Sequence, residues 1–357
     1  MTTIQQLLEE MVRRGCSDLH ITAGVPPIFR IDGELVPSEH EVLKPQMTEQ
    51  LAYSLMNDAQ KKKFEQHKEL DLSFGIPGLS RFRANAYLQR GCVAIAIRTI
   101  PFEIKSFKEL ALPPVVAEMT QRPKGLVLVT GPTGCGKSTT LAAMIDKLNV
   151  DRQAHVITIE DPIEYVFAHK KCMINQRQIG SDTLTFANAL KYALREDPDV
   201  VMIGEMRDLE TIAAALVISE TGHLTLATLH TNSAAESIHR IIDIFPAHQQ
   251  PQVRAQLAFV IEAVITQQLL PRINGGRVVT LEIMIATPAV RAMIRDDKVH
   301  QIQSLIQAGQ KYGMQTMNQS LHHLYTTRQI TLATAICSAR DPDELRRMIE
   351  QKSPVLV

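Results

Sequence analysis

The sequence predicts an α/β chain in two parts. A small α+β domain occupies residues 1–98, a linker follows at 99–114, and a parallel-sheet domain with a mainly helical C-terminal region fills 115–357. Three observations predict this. Beyond residue 115, short and wholly apolar runs alternate with helical periodicity, the pattern of a sheet buried on both faces. The apolar run GLVLVT leads directly into GPTGCGKS and then into a helix. Before residue 100 the strand-like runs instead come in consecutive groups, a strand and hairpin and then three strands after one helix, as in an antiparallel sheet.

The elements follow in order. Thr3–Arg14 places Ile4, Leu7, Leu8 and Met11 on one helical face and stops at Gly15. SDLHITA reads as a strand, and IFRIDGELVP as a hairpin with Asp32-Gly33 at its turn. A helix is expected over Thr48–Gln66, then three strands in LDLSFG, SRFRANAYLQRG and CVAIAIRTI. The linker carries Pro101, Pro113 and Pro114, which resist regular structure. Strands GLVLVT, HVITIE, Asp199–Ile203 and HLTLATLH then alternate with helices KSTTLAAMIDKLN, LTFANALKYALRE and LETIAAALVISET. From Pro251 onward the chain reads as mostly helical.

Composition narrows the function classes. A formal net charge of +0 argues against a mainly electrostatic nucleic-acid binder, which carries a basic excess. Cys16, Cys92, Cys135, Cys172 and Cys337 form no C-x-x-C pair, so a cysteine zinc cluster is not expected and a reducing compartment is. The opening MTTIQQLLEEMVRRG contains Glu9 and Glu10 and lacks the apolar core of a signal peptide. No run approaches the ~20 apolar residues of a membrane helix. The expectation is a cytoplasmic globular protein.

GPTGCGKS, Gly131–Ser138, fits G-x-x-x-x-G-K-[ST] in the strand-to-helix context that the pattern requires. Gly131, Gly134 and Gly136, with Pro132, Thr133 and Cys135 between them, let backbone N–H groups wrap phosphate oxygens. The helix N-terminus adds partial positive charge. Lys137 would reach the β- and γ-phosphates, Ser138 would bind Mg²⁺, and Thr139 follows with a lesser part. ATP with Mg²⁺ is the expected ligand. The plain alternative is a glycine turn that matches by chance.

VVMIGEMRD, Val200–Asp208, reads as a buried strand, yet Gly204 stands where P-loop ATPases commonly place an aspartate, and only Glu205 follows. HVITIE supplies further carboxylates at a strand's end: Glu160, Asp161 and Glu164. Parallel sheets bind ligands at such ends, and buried acids together are costly without a cation. The expectation is Glu164 as the residue that orients or deprotonates water, Glu205 in the magnesium shell through water, and Glu160 as a weaker metal candidate. A solvated acidic loop is the alternative. In TGHLTLATLHT, His230 ends a strand and can meet a phosphate, whereas His223 precedes it and could organise the loop instead.

GPTGCGKST, TIEDPIEY, VVMIGEMRD and TGHLTLATLHT, in that order, resemble the Walker A, Asp box, Walker B and His box of the secretion ATPase superfamily. In that family the Walker B strand often ends in Gly-Glu, so the resemblance explains Gly204 and implies Glu164 as catalytic base and Glu205 as the magnesium-associated acid. SDLHITAGVPPIFRIDGEL, RFRANAY and GMQTMNQSL extend the likeness over nearly the whole chain, toward the PilT family of type IV pilus retraction ATPases. The resemblance implies a PAS-like N-terminal domain and a RecA-like ATPase domain. It also implies a hexamer in which Arg83 and Arg98, with Arg81 a weaker third, serve a neighbour's nucleotide. The partners it implies are an inner-membrane PilC-like platform protein and a PilU-like or PilB-like ATPase, at the cytoplasmic base of the pilus, with no nucleic acid. One departure stands out: a family helix close to AIRNLIRE reads AVRAMIRD here, with Ala292 and Asp296 changed. A pilus-assembly or type II secretion ATPase is the near rival, and a nucleic-acid translocase the distant one.

Overall fold

The computed structural model describes residues 2–31, 33–76, 78–100 and 103–352. By chain contacts it divides into Met1–Glu103 with Glu164–Val166, and Ile104–Ile163 with Phe167–Val357.

In the first unit, α1 (Ile4–Arg13) starts at a reciprocal cap between Thr3 and Gln6 and buries Leu7, Leu8 and Met11. The strands are β1 (Asp18–Ile21), β2 (Ile28–Ile31), β3 (Glu34–Pro37), β4 (Glu69–Ile76), β5 (Ser80–Gln89) and β6 (Cys92–Ile100). They form an antiparallel sheet in the order β3-β2-β1-β6-β5-β4. At the β2–β3 turn Gly33 takes a φ of 93°, and Asp32 lies outside the described residues. The single helix expected over Thr48–Gln66 is two, α2 (Pro45–Tyr53) and α3 (Asp58–His67). Asn57 breaks them, because its side chain accepts the Gln60 N–H and Gln60 answers onto the Asn57 N–H. Phe29, Phe64 and Phe82 fill the core between helices and sheet.

The second unit opens with α4 (Pro114–Met119) and is built on β7 (Gly125–Thr130), β8 (His155–Glu160), β9 (Met173–Gln178), β10 (Val200–Ile203), β11 (Leu224–Leu229), β12 (Ile261–Pro271) and β13 (Arg277–Ile285). The sheet order is β13-β12-β7-β11-β10-β8-β9, parallel except for β13 against β12. The helices are α5 (Lys137–Asp151), α6 (Phe186–Ala193), α7 (Leu209–Glu220), α8 (Ala234–Asp243), α9 (Gln250–Val260), α10 (Pro288–Arg295), α11 (Ile302–Ala308), α12 (Met317–Thr326), α13 (Leu332–Ser338) and α14 (Pro342–Lys352). Beyond Pro251 the chain is mostly helical, as expected, and the hairpin β12–β13 is an addition to that expectation. Ala263–Thr266 is buried on both faces beside β7, and Gly275 and Gly276, with φ of 83° and 73°, close the hairpin. β7, β10 and β11 are wholly buried. Among the described residues no helix is long and apolar enough to cross a membrane.

Candidate active site

Parallel pairing brings three strand ends together. Thr130 lies opposite Leu229, and Ile203 opposite Ala227, so the residues that follow β7, β11 and β10 emerge on one edge of the sheet. Those residues are the Gly131–Ser138 loop, His230 and Glu205.

The loop has the backbone that its glycines predict. Gly131, Gly134 and Gly136 take φ of 138°, 79° and 91°. A side chain at Gly131 would also collide with the Gln267 carbonyl oxygen, 2.3 Å from the position of a Cβ. No side chain caps α5, so its first N–H groups are left to the loop's ligand. The Lys137 ammonium is nearly buried and donates to the Gly131 and Pro132 carbonyls at 2.8 and 3.0 Å, which keeps it inside the loop. Burial pushes the Cys135 thiol up against the opposing pull of Lys137, so this cysteine is a neutral packing residue.

Gly204 has a steric reason. A Cβ there would lie 3.1 Å from the Ile159 carbonyl oxygen and 3.3 Å from Glu160 Cα, so an aspartate would press into the end of β8. The strand end is instead pinned by Thr228, whose hydroxyl donates to the Gly204 carbonyl at 2.5 Å. Glu205 then turns toward the loop. Its Oε1 lies 2.6 Å from Arg207 Nε and 3.0 Å from His230 Nε2, and His230 Nδ1 is 3.5 Å from the Thr133 hydroxyl. Burial pushes the Glu205 carboxyl up, but its bond to Arg207 and the charges of His230, Arg207 and Lys137 prevail and hold it below the usual carboxylate range. Asp161 contributes to the same field, because its charge acts on Arg207.

Other candidates are placed differently. Glu160 is buried, and its Oε1 accepts from Thr158 at 2.6 Å and Gln176 at 3.2 Å. His223 precedes β11, at the far end of the strand from His230. Its Nδ1 bonds the Thr221 hydroxyl and the Ile218 carbonyl, both at 3.1 Å, where it closes α7. His223 therefore sits in the turn between α7 and β11, at the opposite end of β11 from the Gly131–Ser138 loop. Glu164 belongs to the segment grouped with the first unit. In that unit Arg83 and Arg98 are directly opposed across β5 and β6, and Arg81 pairs with Ile100. Arg83 lies 3.9 Å from Asp71, Arg98 lies 2.8 Å from Asp18, and Arg81 donates to Ser73 at 3.1 Å.

Sequence reading missed Gln267, Arg207 and Thr228. Arg207 stood in VVMIGEMRD, two residues from Glu205, and its charge in a phosphate-site motif was the available signal. The other two depend on strand pairing. The residues fit a magnesium–nucleotide substrate. Among the described residues no group of three His, Cys, Asp or Glu could hold a metal alone, whereas one hydroxyl at Ser138 and one carboxylate at Glu205 suit a cation that brings phosphate and water ligands.

The family model described as Type II/IV secretion system protein matches residues 1–336. The chain belongs to this family. Within the type II/IV secretion family, it is 48% identical to the Type IV pilus retractation ATPase PilT of Pseudomonas aeruginosa over 95% of this chain and 99% of that one. It is 41% identical to the Type IV pilus ATPase PilU of the same organism, over 97% and 91%. A crystal structure of the pilus retraction motor PilT with bound ADP superposes with a TM-score of 0.92 at 52% identity, covering 98% of this chain and all of that one.

Proposed function

We propose that the chain is an ATP hydrolase that works as a homohexameric ring and powers type IV pilus retraction, and with it twitching motility. The observation that carries the ATPase reading is the meeting of Lys137, an uncapped helix N-terminus and the ionised Glu205 on one sheet edge. The retraction reading rests on near full-length likeness to proteins bearing that description.

In this reading the Gly131–Ser138 loop and Lys137 hold the phosphates of ATP, Ser138 meets Mg²⁺, and Glu205 orders its water shell. Glu164 orients or deprotonates the attacking water, and His230 senses the γ-phosphate beside Thr133. Arg83 and Arg98 come from a neighbouring subunit to offset charge on the phosphoryl group as it transfers. The ring acts at the cytoplasmic face of the inner membrane on a PilC-like platform protein, with a PilU-like or PilB-like ATPase as a further partner. The likeness to PilU, together with Ala292 and Asp296 in the α10 segment, favours one second reading: an auxiliary retraction ATPase.

Three experiments test this. Lys137→Ala should abolish phosphate release by the purified ring, and release that persisted would refute the loop's assignment. Deleting the gene in the source organism should give excess surface pili and lost surface motility. Bald cells would make this an assembly ATPase, and unchanged pili an auxiliary one. Stimulation of turnover by DNA would favour a translocase.

A further inference from the structure

Gln267 is a buried side chain at the phosphate loop to which the mechanism above gives no part. It lies on β12, one residue past Thr266, which pairs with Thr130 at the end of β7. Both ends of its amide are used. Nε2 donates to the Cys135 carbonyl at 2.7 Å, and Oε1 accepts from the Thr140 hydroxyl of α5 at 2.9 Å. The side chain thus ties the loop's inner turn to the helix behind it.

The bond to Cys135 has a directional consequence. In a trans peptide the C=O and the N–H of the next residue point to opposite sides. With the Cys135 oxygen held toward Gln267, the Gly136 N–H faces away from β12, toward the side where loops of this kind gather phosphate oxygens. Glycine on one side of this peptide leaves little steric resistance to rotation. A flip would present a carbonyl dipole to an anion in place of a donor.

Resting on the nucleotide-binding reading, we propose that Gln267 is a positioning residue that locks the Cys135–Gly136 peptide in its phosphate-binding orientation. Its neighbourhood is tuned to this. A Cβ on Gly136 would sit 3.3 Å from Gln267 Nε2, and one on Gly131 would strike the Gln267 backbone. The strand therefore approaches the loop as closely as two glycines allow.

The test compares ADP affinity and thermal midpoint across three full-length variants, with a fluorescent ADP analogue as probe. Gln267→Met removes both amide bonds and should weaken ADP binding about tenfold, the scale of one buried hydrogen bond. Gln267→Glu keeps an acceptor for Thr140 but loses the donor to Cys135, and should weaken it at least as much. Thr140→Val cuts only the other end and should cost no more than about threefold. A role in packing alone would lower the thermal midpoint of all three without this ranking in affinity. Wild-type affinity in either Gln267 variant, or equal losses from Thr140→Val and Gln267→Met, overturns the proposal. So does loss of the folded state in both Gln267 variants, because Gln267 is then a core element. Failure of the unaltered chain to bind ADP, or full binding by Lys137→Ala, would instead refute the nucleotide reading.

Discussion

Arg207 gives the most direct reading of the site's electrostatics. It is largely exposed, yet it contributes the strongest of the influences that keep Glu205 ionised against burial. Removing it by Arg207→Ala leaves burial less opposed, so the Glu205 carboxyl must rise. The acid limb of kcat/KM against pH should therefore move to higher pH, with the alkaline limb unchanged. An acid limb that stays in place would show that another group sets it. At this scale the sequence showed which residues would be brought together. Lys137, Ser138 and Glu205 lie in short contiguous motifs, and the structure sets them at one sheet edge. Gln267 was invisible for a physical reason: its bond to Cys135 spans 132 residues and exists only in one register of β12 on β7. Gly204 read as a missing aspartate, whereas Glu160 of the neighbouring strand explains it sterically.

Two side chains fix whole elements in the second unit. Arg291 on α10 donates to the Ala258 and Phe259 carbonyls at the end of α9, at 2.8 and 2.7 Å, and lies 2.6 Å from Glu262 of β12. It supplies the C-terminal acceptors of α9 with donors and joins two helices to the sheet. Arg291→Ala should lower unfolding stability by about 1–3 kcal/mol in urea titration, because two carbonyls at the end of α9 lose their donor and Glu262 keeps only Arg122, 3.5 Å away. Glu282 on β13 joins the starts of two further helices. Its Oε1 accepts the Ala234 N–H of α8 at 2.8 Å, the Met317 N–H of α12 also favours its charge, and Arg340 stands 3.8 Å from Oε2. Burial outweighs these and pushes Glu282 up. A carboxyl raised on folding favours the folded state most at pH below its unfolded value, and that contribution is lost as pH climbs through the folded one. The thermal midpoint should thus fall over that window, and Glu282→Gln, which cannot ionise, should flatten the fall. An equal slope in both proteins would assign the pH dependence elsewhere. The β12–β13 hairpin that carries Glu282 and Gln267 was not legible as strands. Its run ITQQLLP shows neither strict alternation nor strong helical spacing, and only its burial beside β7 decides between them.

At the scale of the proposed ring, the arginines of the first unit make the sharpest demand. Arg83 and Arg98 face each other across an antiparallel pair, a placement that repels unless something anionic offsets it. Arg98 has Asp18 close by, but Arg83 is about half exposed and only loosely met by Asp71. An arginine so placed is suited to an anion from outside its own sheet, and the phosphates of a neighbouring subunit are the proposed one. Arg83→Ala should then lower turnover by roughly 10³–10⁵ while ADP still binds. Complementation separates action across subunits from action within one. Rings of Arg83→Ala subunits alone, or of Lys137→Ala subunits alone, should both be inactive, so turnover after mixing can come only from interfaces between the two. In a head-to-tail ring, random mixing sets an intact loop against an intact arginine at about one interface in four. Turnover should reappear at about that fraction of the wild-type rate if sites act independently, and at less if neighbouring sites must fire in sequence. Subunit exchange is verified by recovering one variant through a tag on the other. Exchanged rings that stay silent would place Arg83 beside its own subunit's nucleotide, or outside the reaction altogether. ADP binding separates these, because a purely structural arginine would lose affinity and fold together.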